Sequence, residues 1–253
     1  MSVGASWNLP AVQFKTASGR YLPLGYDLAE AEPLYIDLGT TFCYTISGAE
    51  RTGKTTLLKA LLLMSKMQGA SCCVFDGPEL ELKSFAHAHD ASYLATSDEL
   101  FAYMSETIVP EFTRRNEGRE AFVQRGRADV DGYVASEQKI CLFINNMEAF
   151  CEAVYNGEKG MSGFVEQMLK KGDDHMIYLF ACVANSDMMG IWSSRPLMRQ
   201  FNGRKTGVHL GGAVDHQRIF DFDIRALDGV KRLPPGRGHT LEGGVTKGVI
   251  TVY

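Results

Sequence analysis

The apolar positions of this chain gather into short continuous runs, and between those runs they recur every three or four residues. Phe42 to Ser47, Ser71 to Asp76, Lys139 to Asn145 and Met176 to Asn185 are dominated by apolar and small side chains, the pattern of strands buried on both faces. Lys54 to Gln68, a stretch from about Asp98 to Arg115, and Gly163 to Lys171 carry helical spacing instead. Strand and helix alternate, which predicts an α/β fold with a mostly parallel sheet flanked by helices.

Local signals set the boundaries. Gly69 and Gly172 stand where a C′ glycine would end the first and third helices. Thr96-Ser97-Asp98-Glu99 reads as a capping box that starts the second. Val12 to Phe14, Tyr21 to Leu24 and Leu34 to Asp37 read as short strands before the main sheet, with a turn at Ala17-Ser18-Gly19. Arg204 to Leu210 resembles a fifth core strand, and His239 to Leu241 with Val245 to Val252 a terminal hairpin around Glu242-Gly243-Gly244. Glu117 to Glu137 is polar and mixed in charge, as a surface excursion would be. No repeat, charge block or Pro/Gly/Ser linker divides the sequence. The expectation is one domain over residues 1–253: a β extension over 1–40, a core over 41–210 and a hairpin region over 211–253.

Composition narrows the function classes. With 45% hydrophobic and 22% charged residues, the 253-residue chain can bury a large core, which excludes intrinsic disorder. The 26 Lys+Arg against 30 Asp+Glu give a charge of −4, so nucleic acid is not expected as a partner held by charge alone. Met176 to Ala184, the longest purely apolar run, is far shorter than the roughly 20 residues that cross a bilayer. The opening MSVGASWNLP has neither a basic region nor an apolar stretch, so no secretory signal is expected. Most of the six cysteines, at positions 43, 72, 73, 141, 151 and 182, fall in strand-like runs without a CxxC pair, and read as small core residues. His87 and His89 have no third ligand at a familiar metal-site spacing.

One motif carries chemistry. Gly48-Ala49-Glu50-Arg51-Thr52-Gly53-Lys54-Thr55, followed by Thr56, matches G-x-x-x-x-G-K-[ST] between an apolar strand and an amphipathic helix. The glycines let backbone N–H groups close around phosphate oxygens, Lys54 would span the β- and γ-phosphates, and Thr55 would offer its hydroxyl to Mg²⁺. ATP and Mg²⁺ are therefore the expected ligands, with Glu50 expected to point away from the phosphates.

Hydrolysis needs acids on a second strand, one for the Mg²⁺ water shell and one to polarise the attacking water. The strand Lys139 to Asn146 is the candidate, and both acid positions are asparagines, Asn145 and Asn146. An amide accepts a hydrogen bond but takes no proton, and losing a general base commonly costs about 10²–10⁴ in rate. Binding without efficient hydrolysis is the expectation. Glu148, three residues beyond Asn145, could reach back, but reads more simply as a first-turn helix acid. Asp76, at the end of the next strand, would suit a small-molecule P-loop kinase. Asn185 stands where a γ-phosphate sensor would, and equally where a turn former would. Arg195, Arg199, Arg204 and Lys205 read singly as solvated surface charge, though one of the group could reach a neighbour as an arginine finger, while Arg114, Arg115, Arg119, Arg125 and Arg127, interleaved with acids, read as a solvated face.

Leu22-Pro23-Leu24-Gly25-Tyr26-Asp27, the strand into Gly48 to Thr56, the strand Ile140 to Asn146 and Leu233-Pro234-Pro235-Gly236-Arg237-Gly238 with its glycine-rich hairpin resemble FtsK/SpoIIIE-type ATPase domains over nearly the whole chain. More narrowly, the chain looks like the C-terminal, third ATPase module of the EssC/EccC coupling proteins of type VII secretion. That resemblance implies a RecA-like P-loop NTPase fold within a longer, membrane-anchored, oligomerising polypeptide on the cytoplasmic side. It also implies neighbouring ATPase modules and secreted protein substrates as partners. Late modules of that family often have degenerate catalytic motifs, and the last is implicated in docking a substrate's C-terminal signal. The favoured expectation is a weakly or non-hydrolysing nucleotide-binding module. The alternatives are an active ATPase moving protein or DNA through a base such as Glu148, and the kinase.

Overall fold

The computed structural model describes residues 19–126, 129–157, 159–184, 193–203, 206–214, 217–223 and 232–251. Among the described residues, strands β1 (Tyr21–Asp27) and β2 (Pro33–Asp37) come first. They are followed by β3 (Cys43–Gly48), β4 (Ser71–Phe75), β5 (Ser92–Leu94), β6 (Ile140–Ile144), β7 (Ile177–Val183) and β8 (Gly207–Gly212), and then by β9 (Leu233–Glu242) and β10 (Val245–Thr251). All ten form one sheet in the order β2-β1-β10-β9-β8-β3-β7-β6-β4-β5. The six strands from β8 to β5 pair in parallel, and β9, β10, β1 and β2 extend that sheet by antiparallel ladders. The β additions expected before and after the core thus meet side by side, with Gly25 of β1 opposite Thr251 of β10. The strand expected at Val12 to Phe14 lies outside the described residues, as do Asn185, Arg204 and Lys205.

Alternation along the parallel strands sorts side chains onto two faces. From β7, Ile177, Leu179, Ala181 and Val183 enter one core together with Leu142 and Ile144 of β6 and Cys73 and Phe75 of β4. Tyr178, Phe180 and Cys182 enter the other with Cys141, Phe143, Cys72 and Val74. Both faces are apolar, which is why the sequence runs are continuous. Phe143 and Phe180 stack with ring centres 5.0 Å apart, and burying each such side chain is worth about 1.5–3 kcal/mol.

Helices α1 (Lys54–Met67) and α2 (Lys83–Ala88) cover the second face. The first face is covered by α3 (Ser97–Tyr103), α6 (Met147–Tyr155), α7 (Ser162–Lys171) and α8 (Pro196–Gly203). In α1, Leu57, Leu58, Leu61 and Leu62 form the buried stripe. The helix stops at Gly69, whose φ of 78° is left-handed and whose N–H donates to Lys66 O. All six cysteines are buried, and none is in a disulfide.

Three local expectations change. The helix expected to end near Arg115 runs on: a π-type stretch over Met104–Ile108 leads into α4 (Val109–Gln124), followed by α5 (Val130–Ala135). The polar segment after Glu117 is thus helical to Gln124, and half-buried Phe122 stacks on Tyr133 of α5 with ring centres 4.7 Å apart. Gly172 is not a left-handed cap, because its φ is −61° and the chain continues into a 3₁₀ turn, Gly172–His175. A Cβ there would sit 2.0 Å from the Phe42 ring, so packing is what requires glycine. Arg115 is not solvated: it is 4% exposed, pairs with Glu111 at 2.8 Å, and donates to the backbone carbonyls of His175 and Gln138. Hydrogen bonds from Arg114 and then Arg115 hold the Glu111 carboxyl down to about 2.

Candidate functional site

The strands β3, β6 and β4 run parallel, so their carboxyl ends reach one edge of the sheet, where open α/β sheets place their ligands. The loop from Gly48 to Gly53 leaves β3 at this edge and enters α1. Gly48 has φ 146°, and a Cβ there would come within 2.3 Å of Leu210 O on β8, so only glycine lets the loop leave so close to its neighbour. Gly53 (φ 102°) and Arg51 (φ 58°) are both left-handed. Thr52, buried, ties the loop together: its Oγ1 donates to Ala49 O at 2.8 Å, and its carbonyl accepts from Gly236 N at 3.0 Å. The Pro-Pro-Gly-Arg-Gly stretch of β9 therefore braces the loop.

Lys54 folds back over the loop, its Nζ donating to Gly48 O at 3.0 Å and Ala49 O at 2.8 Å. The ammonium is held inside the turn of the loop by carbonyls it would exchange for phosphate oxygens. A cleft of about 870 Å³ opens beside it, lined by Arg51, Gly53, Lys54, Thr55, Thr56, Lys59, Glu81 and Pro235. Three cations and one carboxylate on that wall make a field suited to a polyphosphate. Ala49 and Glu50 are exposed, and Glu50 does not contribute to the wall. The donor set, a helix N-terminus with a lysine and a threonine hydroxyl beside it, fits a nucleotide phosphate chain with its Mg²⁺.

Asn145 and Asn146 part company at this edge. Asn145 sits beside Thr55, whose Oγ1 donates to its Oδ1 at 3.2 Å. Its Nδ2 donates the other way, to Asp76 Oδ1 at 2.9 Å and Glu81 Oε2 at 3.3 Å. Asn146 is the N-cap of α6: its Oδ1 accepts from Ala149 N at 2.9 Å while its Nδ2 donates to Glu79 Oε1 at 3.0 Å. Asp76 is fully buried, and its second oxygen accepts from Leu82 N at 2.7 Å and the Tyr93 hydroxyl at 3.1 Å. Glu148 is exposed in the first turn of α6. Arg195 packs over the Tyr155 ring at 4.9 Å, and Arg199 is exposed on α8. His87 and His89 pack against Tyr93 and Phe85. Sequence reasoning found Asp76 but not Glu79 and Glu81. The run Asp76-Gly77-Pro78-Glu79-Leu80-Glu81 directly after an apolar strand was the available signal.

Behind the loop lies a second polar group. Ser47 and His209, both buried, meet at 2.8 Å between Oγ and Nδ1, and His209 is paired across the ladder with His239. Burial, and then the neighbouring His239 and Lys54, pushes His209 down to about 4.

No family model matches the chain, and no curated protein matches its sequence. Solved structures do match: over 95% of its length the chain superposes on the cytoplasmic domain of EssC with a TM-score of 0.80 at 18% identity, covering 45% of that chain. The chain has the fold of the EssC/EccC P-loop ATPase modules. EssC (ATPases 2 and 3) from Geobacillus thermodenitrificans matches 92% of the module with a TM-score of 0.74 at 18% identity, covering 41% of that chain. EccC (ATPases 2 and 3) from Thermomonospora curvata, solved in complex with a signal sequence peptide, matches 97% with a TM-score of 0.68 at 19% identity, covering 43%. The chain thus spans less than half the length of each of these structures. Among its described residues, no helix is long and apolar enough to cross a membrane.

Proposed function

We propose that the chain is a nucleotide-binding module of a type VII secretion coupling protein, one that binds ATP with Mg²⁺ and hydrolyses it slowly or not at all. The observation that carries this reading is the pairing of a complete phosphate loop with a neutral Asn145 at Thr55, in a fold shared with EssC/EccC modules. Lys54 and the loop N–H groups would bind the phosphates. Bound Mg²⁺ would neutralise charge on the phosphate oxygens, with Thr55 as its protein hydroxyl. The Thr55 hydrogen already points to Asn145 Oδ1, leaving a lone pair for the metal. Asn145 thus keeps the acceptor role of the expected acid without its charge, and without a site to take a proton from water.

In this reading the module works within a longer, membrane-anchored chain, where it docks secreted protein substrates or regulates neighbouring ATPase modules. The Thermomonospora curvata EccC complex with a signal sequence peptide supports the substrate half of that role by likeness of fold. The test is calorimetric titration of the module with ATP and Mg²⁺, followed by a turnover assay. The expected result is saturable binding abolished by Lys54→Ala, with turnover barely above background. Brisk wild-type turnover abolished by Lys54→Ala would overturn the non-hydrolysing part, and no heat at millimolar ATP would overturn nucleotide binding itself.

A further inference from the structure

Carboxylates stand beside the end of β6, where the strand itself carries two asparagines. Asn145 Nδ2 binds Asp76 and Glu81 at once, and Asn146 Nδ2 binds Glu79. All three acids belong to the six-residue stretch that follows β4, the strand paired with β6. They are not equivalent. Asp76 is fully buried, and its two oxygens are taken by Leu82 N, Tyr93 and Asn145. Glu79 is turned to Asn146 and does not line the cleft. Glu81 alone of the three forms part of the wall, together with Lys54 and Thr55.

The backbone that presents Glu81 is held in a particular shape. Leu80, the residue before it, is left-handed at φ 56°, and Gly77 is left-handed at φ 73°. A left-handed leucine is uncommon and persists where its surroundings fix it. Here the Asp76 side chain, accepting Leu82 N, closes the stretch across Leu80 and Glu81.

We propose that Glu81, steered by Asn145, is the acid of the nucleotide site. It stands in for the strand-borne carboxylate by accepting hydrogen bonds from the water shell of nucleotide-bound Mg²⁺. This inference rests on the nucleotide-binding reading above. Among the described residues no group of three or more acids, histidines or cysteines is placed to hold a metal unaided. The ion therefore arrives with the phosphates, as Mg²⁺ with one or two protein contacts commonly does. Asn145 is a positioning residue, with its carbonyl toward Thr55 and its amide toward Glu81.

Binding, rather than turnover, reads this role. ATP is titrated into wild type, Glu81→Gln and Glu79→Gln, each with Mg²⁺ and with EDTA, and folding is checked by the melting temperature. Wild type is expected to bind ATP more tightly with Mg²⁺. Glu81→Gln should cut that Mg²⁺ advantage about tenfold, the worth of one hydrogen bond to a charged group, while leaving metal-free binding equal or tighter. Glu79→Gln should keep the full advantage. An unchanged Mg²⁺ advantage in Glu81→Gln, an equal loss in Glu79→Gln, or wild-type binding indifferent to Mg²⁺ overturns the assignment and leaves nucleotide binding standing. Wild type that binds no ATP in either condition overturns the parent reading, and the assignment with it.

Discussion

Restoring the expected acid at the end of β6 by Asn145→Asp is the natural way to repair a degenerate site, and the structure predicts that it damages the module instead. The Asn145 amide nitrogen lies 2.9 Å from Asp76 Oδ1 and 3.3 Å from Glu81 Oε2. In the variant an oxygen takes its place. One hydrogen bond to a buried carboxylate disappears, worth about 1.5–3 kcal/mol. A like charge arrives, and at about 4 Å and an effective dielectric constant near 20 that repulsion is about 4 kcal/mol. Two carboxyls so close relieve most of this by holding one proton between them. The net loss near pH 8 is then about 2–4 kcal/mol, or roughly 5–10 °C in melting temperature for a domain of this size. The sign of the pH dependence follows from the shared proton. It is bound in the folded variant and released on unfolding, so the deficit is smallest at low pH and grows as the pH rises. Melting followed by circular dichroism at pH 5.5 and pH 8 in EDTA, with Asn145→Ala as the variant that removes the donor without adding charge, separates the two contributions. If Asn145→Asp melts with wild type at pH 8, or loses more at pH 5.5 than at pH 8, the carboxylate-anchoring account of Asn145 is refuted.

The remaining predictions concern the scaffold. Thr96→Ala removes a capping box in which Thr96 Oγ1 accepts from Glu99 N and Glu99 accepts from Thr96 N; the expected cost is about 1 kcal/mol in urea unfolding. Arg115→Met leaves two carbonyls and Glu111 without their buried partner and should cost about 3–5 kcal/mol by the same measurement. His209, pushed down to about 4 in the fold against about 6.5 when unfolded, favours the folded state fully above pH 6.5 and loses that contribution as the pH falls toward 4, by roughly 3 kcal/mol. His209→Asn should therefore flatten the fall in melting temperature between pH 6.5 and 4.

What the sequence made legible was local. The phosphate loop is contiguous, its strand and helix flank it directly, and the central strands β3, β4, β6 and β7 betray themselves because both faces are buried, whereas β5, three residues long with Ser92 exposed, carries no such run. The capping box at Thr96 was readable for the same reason, since its partners lie three residues apart. Contacts between distant segments were not legible. Nothing in Tyr21 to Asp27 says that it pairs with Val249 to Thr251, and nothing in a mixed-charge helix says that Arg115 turns inward while Arg114 faces out. The asparagine pair was visible as a loss of charge. Its acidic partners were not, because Asn145 meets Asp76 and Glu81 only through the adjacency of β4 and β6.

In the proposed reading, that adjacency accounts for slow turnover of ATP. A carboxylate at a strand end is fixed by the ladder, and such fixed groups act on a reacting centre without reorganising. Glu81 instead stands exposed after a left-handed Leu80, held by Asn145 at 3.3 Å and by the turn that Asp76 closes. In the proposed reading the loop-borne charge still favours Mg²⁺–nucleotide, since binding tolerates a carboxylate that adjusts its position. Placing a base against the attacking water does not tolerate it, because small errors in position there cost orders of magnitude in rate. Moving the acid from strand to loop would therefore keep nucleotide affinity while giving up catalysis.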